Sequence, residues 1–254
     1  MTLNESFILP EWPLPANVRA LTTTRLGGAS LPPYDSFNLG CHVGDSTSHV
    51  QKNRNKLAAQ CKLPNNRFQW LNQVHGDLAC EALVDGVVRE ADASFTHKRN
   101  TVCVIMTADC LPVLLCDKQG RQVAAVHACW RGLASGIIES TLAAFPQPLD
   151  VSAWLGPAIG PSAFEVGGDV VDAFTRLSMS DEYALLTKQA FVPHASIKGK
   201  WLADLYLLAR IRLQSLGVAD IYGGEYCTWD NKSKFYSYRR SGVTGRMASL
   251  IWLT

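Results

Sequence analysis

Three side chains have the types that do chemistry: Cys110 in "CVIMTADCLPVLLCD", His75 in "WLNQVHG" and His127 in "VAAVHACWRG". A thiol and two imidazoles can hold a soft divalent metal. A thiol beside an imidazole can also attack a carbonyl, and a buried cysteine can simply fill core volume. Each of the three ends or interrupts a strand-like run, a place where the rims of sheets present ligands. Taken singly, a buried cysteine is usually core and a strand-end histidine usually structural, and their irregular spacing does not decide between these readings.

The elements that must position them follow from hydrophobic periodicity. Apolar, partly β-branched runs predict strands over 19–24, 68–74, 101–107, 111–116, 122–127, 151–155, 218–222 and 247–253. Val50, Leu57, Ala58 and Cys61 recur at helical spacing behind Ser46 or Thr47 as a cap. A second helix is expected after Gly132, through Ile137, Ile138 and Leu142, stopping at Pro146, and a third over 204–216, ended by Gly217. Strands and helices interleave without linker, repeat or low-complexity segment. The expectation is a single domain over residues 1–254, of mixed-sheet α/β or α+β class.

Composition excludes several function classes. The 254 residues are 47% hydrophobic and 18% charged, ordinary for a globular chain. A net charge of +2, with scattered basic residues, makes no phosphate-backbone footprint, so nucleic acid is not an expected partner. The opening "MTLNESFILPEWPLP" lacks the basic and apolar regions of a signal peptide, and no run approaches the roughly 18 apolar residues of a membrane span. The expected location is the cytoplasm. Eight cysteines, at 41, 61, 80, 103, 110, 116, 129 and 227, include no Cys-x-x-Cys pair, so most are expected to be reduced core residues rather than zinc-knuckle ligands. Glycine concentrates in "TTRLGGAS", "FNLGCHVGD", "GPAIGP" and "GVTGR". Such loops bring backbone amides close to a ligand, and the first and last carry an arginine suited to phosphate. None matches a Walker loop or a dinucleotide fingerprint.

The motifs "TTRLGGAS", "FNLGCHVGD", "NQVHG", "EADA", "TADCLPVLL", "AAVHACWRG", "GPAIGPSAFEVG", "YCTW" and "FYSYRRSGVTGRMAS", in this order along nearly the whole chain, resemble the laccase-domain, or multicopper polyphenol oxidase-like, family of purine nucleoside enzymes. The resemblance implies a metal site at His75, Cys110 and His127, usually zinc, with copper as the alternative. Three protein ligands leave a fourth tetrahedral position for water or substrate, the pattern of catalytic zinc. It also implies mixed sheets packed between helices in one domain, similar to the cysteine-dependent toxin deamidases. The implied activity is phosphorolysis of adenosine, inosine and methylthioadenosine to free base and a ribose 1-phosphate, with adenosine deamination as a second activity.

For phosphate, Arg25 and the amides of "RLGG" are candidates, with His42, the arginines Arg239 and Arg240 of "YRR" and Arg246 of "TGR". Asn72 and Gln73 precede His75, and Arg131 lies close to His127, so all three are candidates for the site. Deamination requires water at C6 of the purine, and the His-x-Glu and Pro-Cys-x-x-Cys signatures of base deaminases are absent. Asp109 or Glu165 is expected to move the proton there, unless either caps a turn or pairs with an arginine. Cys129 stands where the family commonly has glycine, and steric tuning of the pocket is the expected effect rather than ligation. Six histidines cannot readily build several imidazole-rich copper centres, so phenol oxidation is expected only from incidental copper loading. Two rivals remain: a metal-independent cysteine hydrolase built on Cys110, for which peptidoglycan precursors are a substrate discussed for bacterial members, and a non-catalytic binding protein. The sequence leaves monomer and homodimer open.

Overall fold

A computed structural model describes residues 5–147, 149–176 and 181–254. The runs that periodicity singles out become the central strands of two sheets. One has five strands in the order Phe7–Ile8, Val18–Thr23, Met247–Leu253, Val102–Thr107, Phe68–Gln69. The other has six, in the order Asp220–Gly223, Val151–Leu155, Leu111–Asp117, Val123–Ala128, Ala93–Thr96, Ala79–Glu81. Both are mixed: Leu111–Asp117 is antiparallel to both neighbours, whereas Val151–Leu155 runs parallel to Asp220–Gly223, and Phe68–Gln69 runs parallel to Val102–Thr107 in the smaller sheet.

Side-chain alternation explains why these strands read as unbroken apolar runs rather than polar-apolar stripes. In the five-stranded sheet Cys103, Ile105 and Ile251 face inwards and meet Leu114, Cys116 and Ala125 of the six-stranded sheet in one cluster. Val102, Val104 and Leu250 face outwards against Leu57, Ala58 and Cys61 of the helix Thr47–Cys61. On the outward face of the six-stranded sheet, Val113, Leu115 and Val126 pack on Leu133, Ile138 and Leu208 of the helices Trp130–Ser135, Ile137–Leu142 and Leu205–Ser215. The result is four layers, helix, sheet, sheet, helix, the mixed α/β class expected from the sequence. Among the described residues no helix is long and apolar enough to cross a membrane.

Three local expectations differ from the structure. The run at 68–74 is two short strands, Phe68–Gln69 in the five-stranded sheet and Leu71–Asn72 paired with Arg89–Glu90, because the chain changes partner at Trp70. The helix after Gly132 begins earlier, at Trp130, and breaks at Gly136, whose φ of 104° is a conformation that favours glycine. Ser46 occupies the N-cap of the first long helix but makes no side-chain capping bond there. The helices Gly168–Thr175 and Asp181–Gln189 and the three-stranded sheet Glu165–Gly167, Lys200–Ala203, Phe191–Pro193 carry no expectation from the sequence.

Candidate metal centre and cleft

The site lies where the chain leaves one sheet for the other. Val102–Thr107 ends the inner run of the five-stranded sheet, and Leu111–Asp117 opens in the six-stranded one. Ala108, Asp109 and Cys110 make the crossing, with Asp109 at φ 89°, a left-handed conformation uncommon for a residue with a side chain. Its carboxylate holds that bend: Oδ1 accepts from Thr228 Oγ1 at 2.6 Å, and Oδ2 from Ser237 Oγ at 3.0 Å and the Arg239 amide at 2.7 Å. The half-buried Cys110 is thereby turned out of the strand path into the cleft.

His127 comes from Val123–Ala128, opposite Pro112 in register and on the same face as Val123 and Ala125. His75 follows Leu71–Asn72 and also has a left-handed backbone, φ 64°. The candidate ligand atoms of His75, Cys110 and His127 lie within 4.8 Å of one another, and the two imidazoles meet edge to face with centroids 4.9 Å apart. Among the described residues this is the one such group of three or more His, Cys, Asp or Glu.

Asp92 ties the two histidines together. It is fully buried. Its Oδ1 accepts from the His75 amide at 3.0 Å and lies 2.7 Å from His127 Nδ1, while Oδ2 accepts from the Val74 and Gly76 amides at 3.1 and 2.7 Å. Burial pushes the Asp92 carboxyl up, but the His127 hydrogen bond and the Gly76 and Val74 amides outweigh it, and its pKa is lowered on balance. An ionised carboxylate only accepts, so Nδ1 of His127 carries its proton towards Asp92 and Nε2 is left for a ligand. This donor set, two imidazoles and a thiol with one imidazole braced by a carboxylate, fits a zinc-type ion.

Burial also raises the Cys110 thiol well above its ordinary value, with Cys129 and Asp109 adding to the effect and Arg246 opposing it. The His75 ring is lowered, by partial burial first and then by His127, with Asp92 opposing.

Two lobes of one cleft meet at this group, sharing His75, Cys110, Ala108 and Tyr238. The first, about 200 Å3, is lined by Trp130, Ile159, Phe164 and Leu205, with Arg131 and Arg239 among its polar groups. Arg131 lies over the Trp130 ring at 4.3 Å, and Arg239 over Phe164 at 5.5 Å. The second, about 410 Å3, is lined by His42, Gln73, Thr107 and Arg246. The Asn38 side chain accepts from the Arg246 amide at 2.9 Å, so "FNLGCHVGD" sets where that arginine sits. His42 is lowered by burial and then by Arg246 and Arg54.

The structure gathers Cys110, His75, His127, Asp109 and Arg131, with His42, Gln73 and Arg246, around this cleft. Four other candidates stand outside both lobes. Arg25 donates to Asp35 and to the Lys232 carbonyl. Arg240 clamps the carbonyls of Thr228, Trp229 and Phe235. Asn72 reaches Glu90, and Glu165 pairs with Lys200 at 3.3 Å. Gln73 lines the second lobe while its amide group bonds Met106 both ways, Nε2 to the carbonyl and Oε1 from the amide, each at 2.8 Å.

Sequence reasoning missed Asp92 as a site residue: it stands in the quoted motif "EADA", but only the folded register shows which acid faces His127. Of the two arginines of "YRR", it is Arg239 that lines the cleft. Cys129 caps the helix Trp130–Ser135, its sulfur accepting from the Gly132 amide at 3.2 Å and lying 3.7 Å from the His75 carbonyl. It lines the first lobe without joining the ligand group.

Fold and site together define a mixed α/β protein with a candidate metal centre in a two-lobed cleft. Residues 19–254 match the family model described as multi-copper polyphenol oxidoreductase laccase. The chain is 49% identical over 248 residues to the Escherichia coli K12 protein named purine nucleoside phosphorylase YfiH, covering 97% of this chain and 98% of that one. It is 51% identical over 246 residues to a purine nucleoside phosphorylase of Haemophilus influenzae, covering 96% and 98%. Among solved structures, Neisseria meningitidis protein NMB0706 superposes with a TM-score of 0.89 at 48% identity, covering 98% of this chain and 99% of that one. YlmD of Geobacillus stearothermophilus gives 0.83 at 31% identity, covering 94% and 92%. The chain belongs to the multi-copper polyphenol oxidoreductase laccase family, several of whose members are named purine nucleoside phosphorylases.

Proposed function

We propose that this chain phosphorolyses purine nucleosides, namely adenosine, inosine and methylthioadenosine, and deaminates adenosine as a second activity, at a metal centre held by His75, Cys110 and His127. The single observation that carries the reading is the donor group standing where a lobe lined by Trp130 and Phe164 meets a lobe lined by Arg246 and His42. Relatives named purine nucleoside phosphorylase support it.

In this reading Trp130 and Phe164 offer ring faces and Ile159 and Leu205 apolar surface to the purine. Arg246 offers its guanidinium to phosphate in the other lobe. His42, lowered by burial and its cationic neighbours, meets phosphate as a neutral hydrogen-bonding ring rather than as a second charge. Of the two acids, Asp109 lines the first lobe whereas Glu165 pairs with Lys200, which favours Asp109 as the proposed proton carrier of deamination. Zinc is the ion proposed, with copper as the alternative, and it supplies Lewis acidity at the junction of the lobes when bound. The enzyme works in the cytoplasm as a monomer or homodimer.

The purified, metal-replete protein given adenosine and phosphate is expected to release adenine, with Cys110→Ala and His127→Ala each losing at least about 100-fold. Metal content and a nucleoside panel with and without phosphate complete the experiment. Absence of both adenine and inosine from the metal-replete protein overturns the reading. Activity that persists under a chelator and is blocked by alkylation of Cys110 would assign a cysteine hydrolase instead.

A further inference from the structure

The geometry points to Asp92 as the positioning residue of the metal centre, one that holds both histidines in ligating geometry before any ion arrives. The inference rests on the proposed metal centre but concerns how the protein chain builds it. Each carboxylate oxygen of Asp92 has two partners. Oδ1 takes His127 Nδ1 at 2.7 Å and the His75 amide at 3.0 Å; Oδ2 takes the Val74 and Gly76 amides at 3.1 and 2.7 Å. The backbone of Asp92 adds to this, its carbonyl accepting from the His127 amide at 2.7 Å. One side chain therefore sets the ring orientation of one ligand and the backbone turn of the other.

The opposite side of that turn is closed as well. Gly132 packs so tightly on Gly76 that a Cβ there would come within 2.5 Å of the Gly76 carbonyl oxygen, and the Cys129 sulfur lies 3.7 Å from the His75 carbonyl oxygen. His75 is thus held at its left-handed φ of 64° by protein contacts from two directions. A second partner braced in this way fixes a histidine's tautomer and orientation, and losing such a partner typically weakens metal binding about 10–100-fold.

Asp92→Asn is the informative change because it keeps the volume while turning one acceptor into a donor. Whichever way the amide is placed, its NH2 group confronts two of the four donors. The expected result is zinc affinity about 10–100-fold weaker in competition with a chromophoric chelator. Asp117→Asn, which removes another buried carboxylate from a turn remote from the cleft, should leave zinc affinity at the parental value.

The parent protein gives a test that does not depend on a variant folding. Long-range 15N correlation spectra of the metal-free protein should show a proton on Nδ1 of His127, directed at Asp92. An Nε2-H tautomer, a mixture of tautomers, or a folded Asp92→Asn that binds zinc as tightly as the parent overturns the inference. A parent protein with the expected tautomer that binds neither zinc nor copper overturns the metal reading and leaves the role of Asp92 in place.

Discussion

Cys110 and Cys129 both border the same lobe, yet their surroundings give them different work. Cys110 shares a ligand group with two histidines, whereas the Cys129 sulfur is occupied as a helix cap. Burial pushes the Cys129 thiol up to about 11, but what separates it from Cys110 is geometry: its sulfur accepts from the Gly132 amide and lies outside the ligand group. Its backbone, φ −66° and ψ 161°, is ordinary, so glycine fits there too without being required. Cys129→Gly is accordingly expected to cost about 1 kcal/mol, from the buried thiol and its capping bond, with zinc affinity unchanged. Thermal melting paired with a zinc titration checks this, and a loss of affinity like that of Cys110→Ala would make Cys129 a ligand.

At the scale of elements, Leu111–Asp117 and Val123–Ala128 pair along their length, and the hairpin turn joining them lies at the end away from Cys110 and His127. Asp117 anchors that turn: Oδ1 accepts from the Gln119 amide at 2.9 Å and from Arg121 Nε at 3.1 Å, and Oδ2 from Arg121 Nη2 at 2.6 Å. Burial raises the Asp117 carboxyl, but the Arg121 side chain and the Arg121 and Gln119 amides lower it on balance. A carboxyl lowered on folding contributes stability above its unfolded pKa, about 3.9, and that contribution disappears as pH falls through the folded value. Asp117→Asn should therefore lose about 1–3 kcal/mol at pH 7, and the gap between parent and variant should begin to close only as pH falls below about 4, towards the lowered folded pKa. Denaturant titration at pH 7 and at successively lower pH below about 4 measures it; equal stability at pH 7 would refute it.

The same elements show what a sequence makes legible. Strands buried on both faces carry long apolar runs, so Val151–Leu155 and Met247–Leu253 are read at their observed ends. Ala79–Glu81 and Arg89–Glu90 are short, partly exposed strands without such a signal, and their existence depends on partners elsewhere in the chain. The run at 68–74 looks continuous because composition does not register a change of pairing partner. At the site, the ligand group is legible through the ordered motifs. Asp92 is not, because its role is a contact with His127 that exists only once Ala93–Thr96 pairs with Val123–Ala128.

Across the whole molecule, the segment before the first long strand closes the space between the sheets. Trp12 packs in the inter-sheet cluster with Leu114, Trp154 and Ile251, and its Nε1 donates to Ser152 Oγ at 3.0 Å. Trp12→Ala should destabilise the protein by about 3–5 kcal/mol, read as a lower denaturation midpoint, because it removes a large side chain that both sheets share. A change below about 1 kcal/mol would mean that this segment merely lies on the surface.

The crossing at 108–110 carries a consequence for how the protein holds together. Cys110 lies in the connection between the two sheets, His127 in one of them, and His75 in the chain that has just left the other. An ion shared by all three is a rivet across the seam, so occupancy and resistance to unfolding rise together. At a free concentration about 1,000 times its dissociation constant, a ligand specific for the folded state adds about 4 kcal/mol. For the metal-bound protein proposed above, the melting temperature becomes a gauge of ion supply.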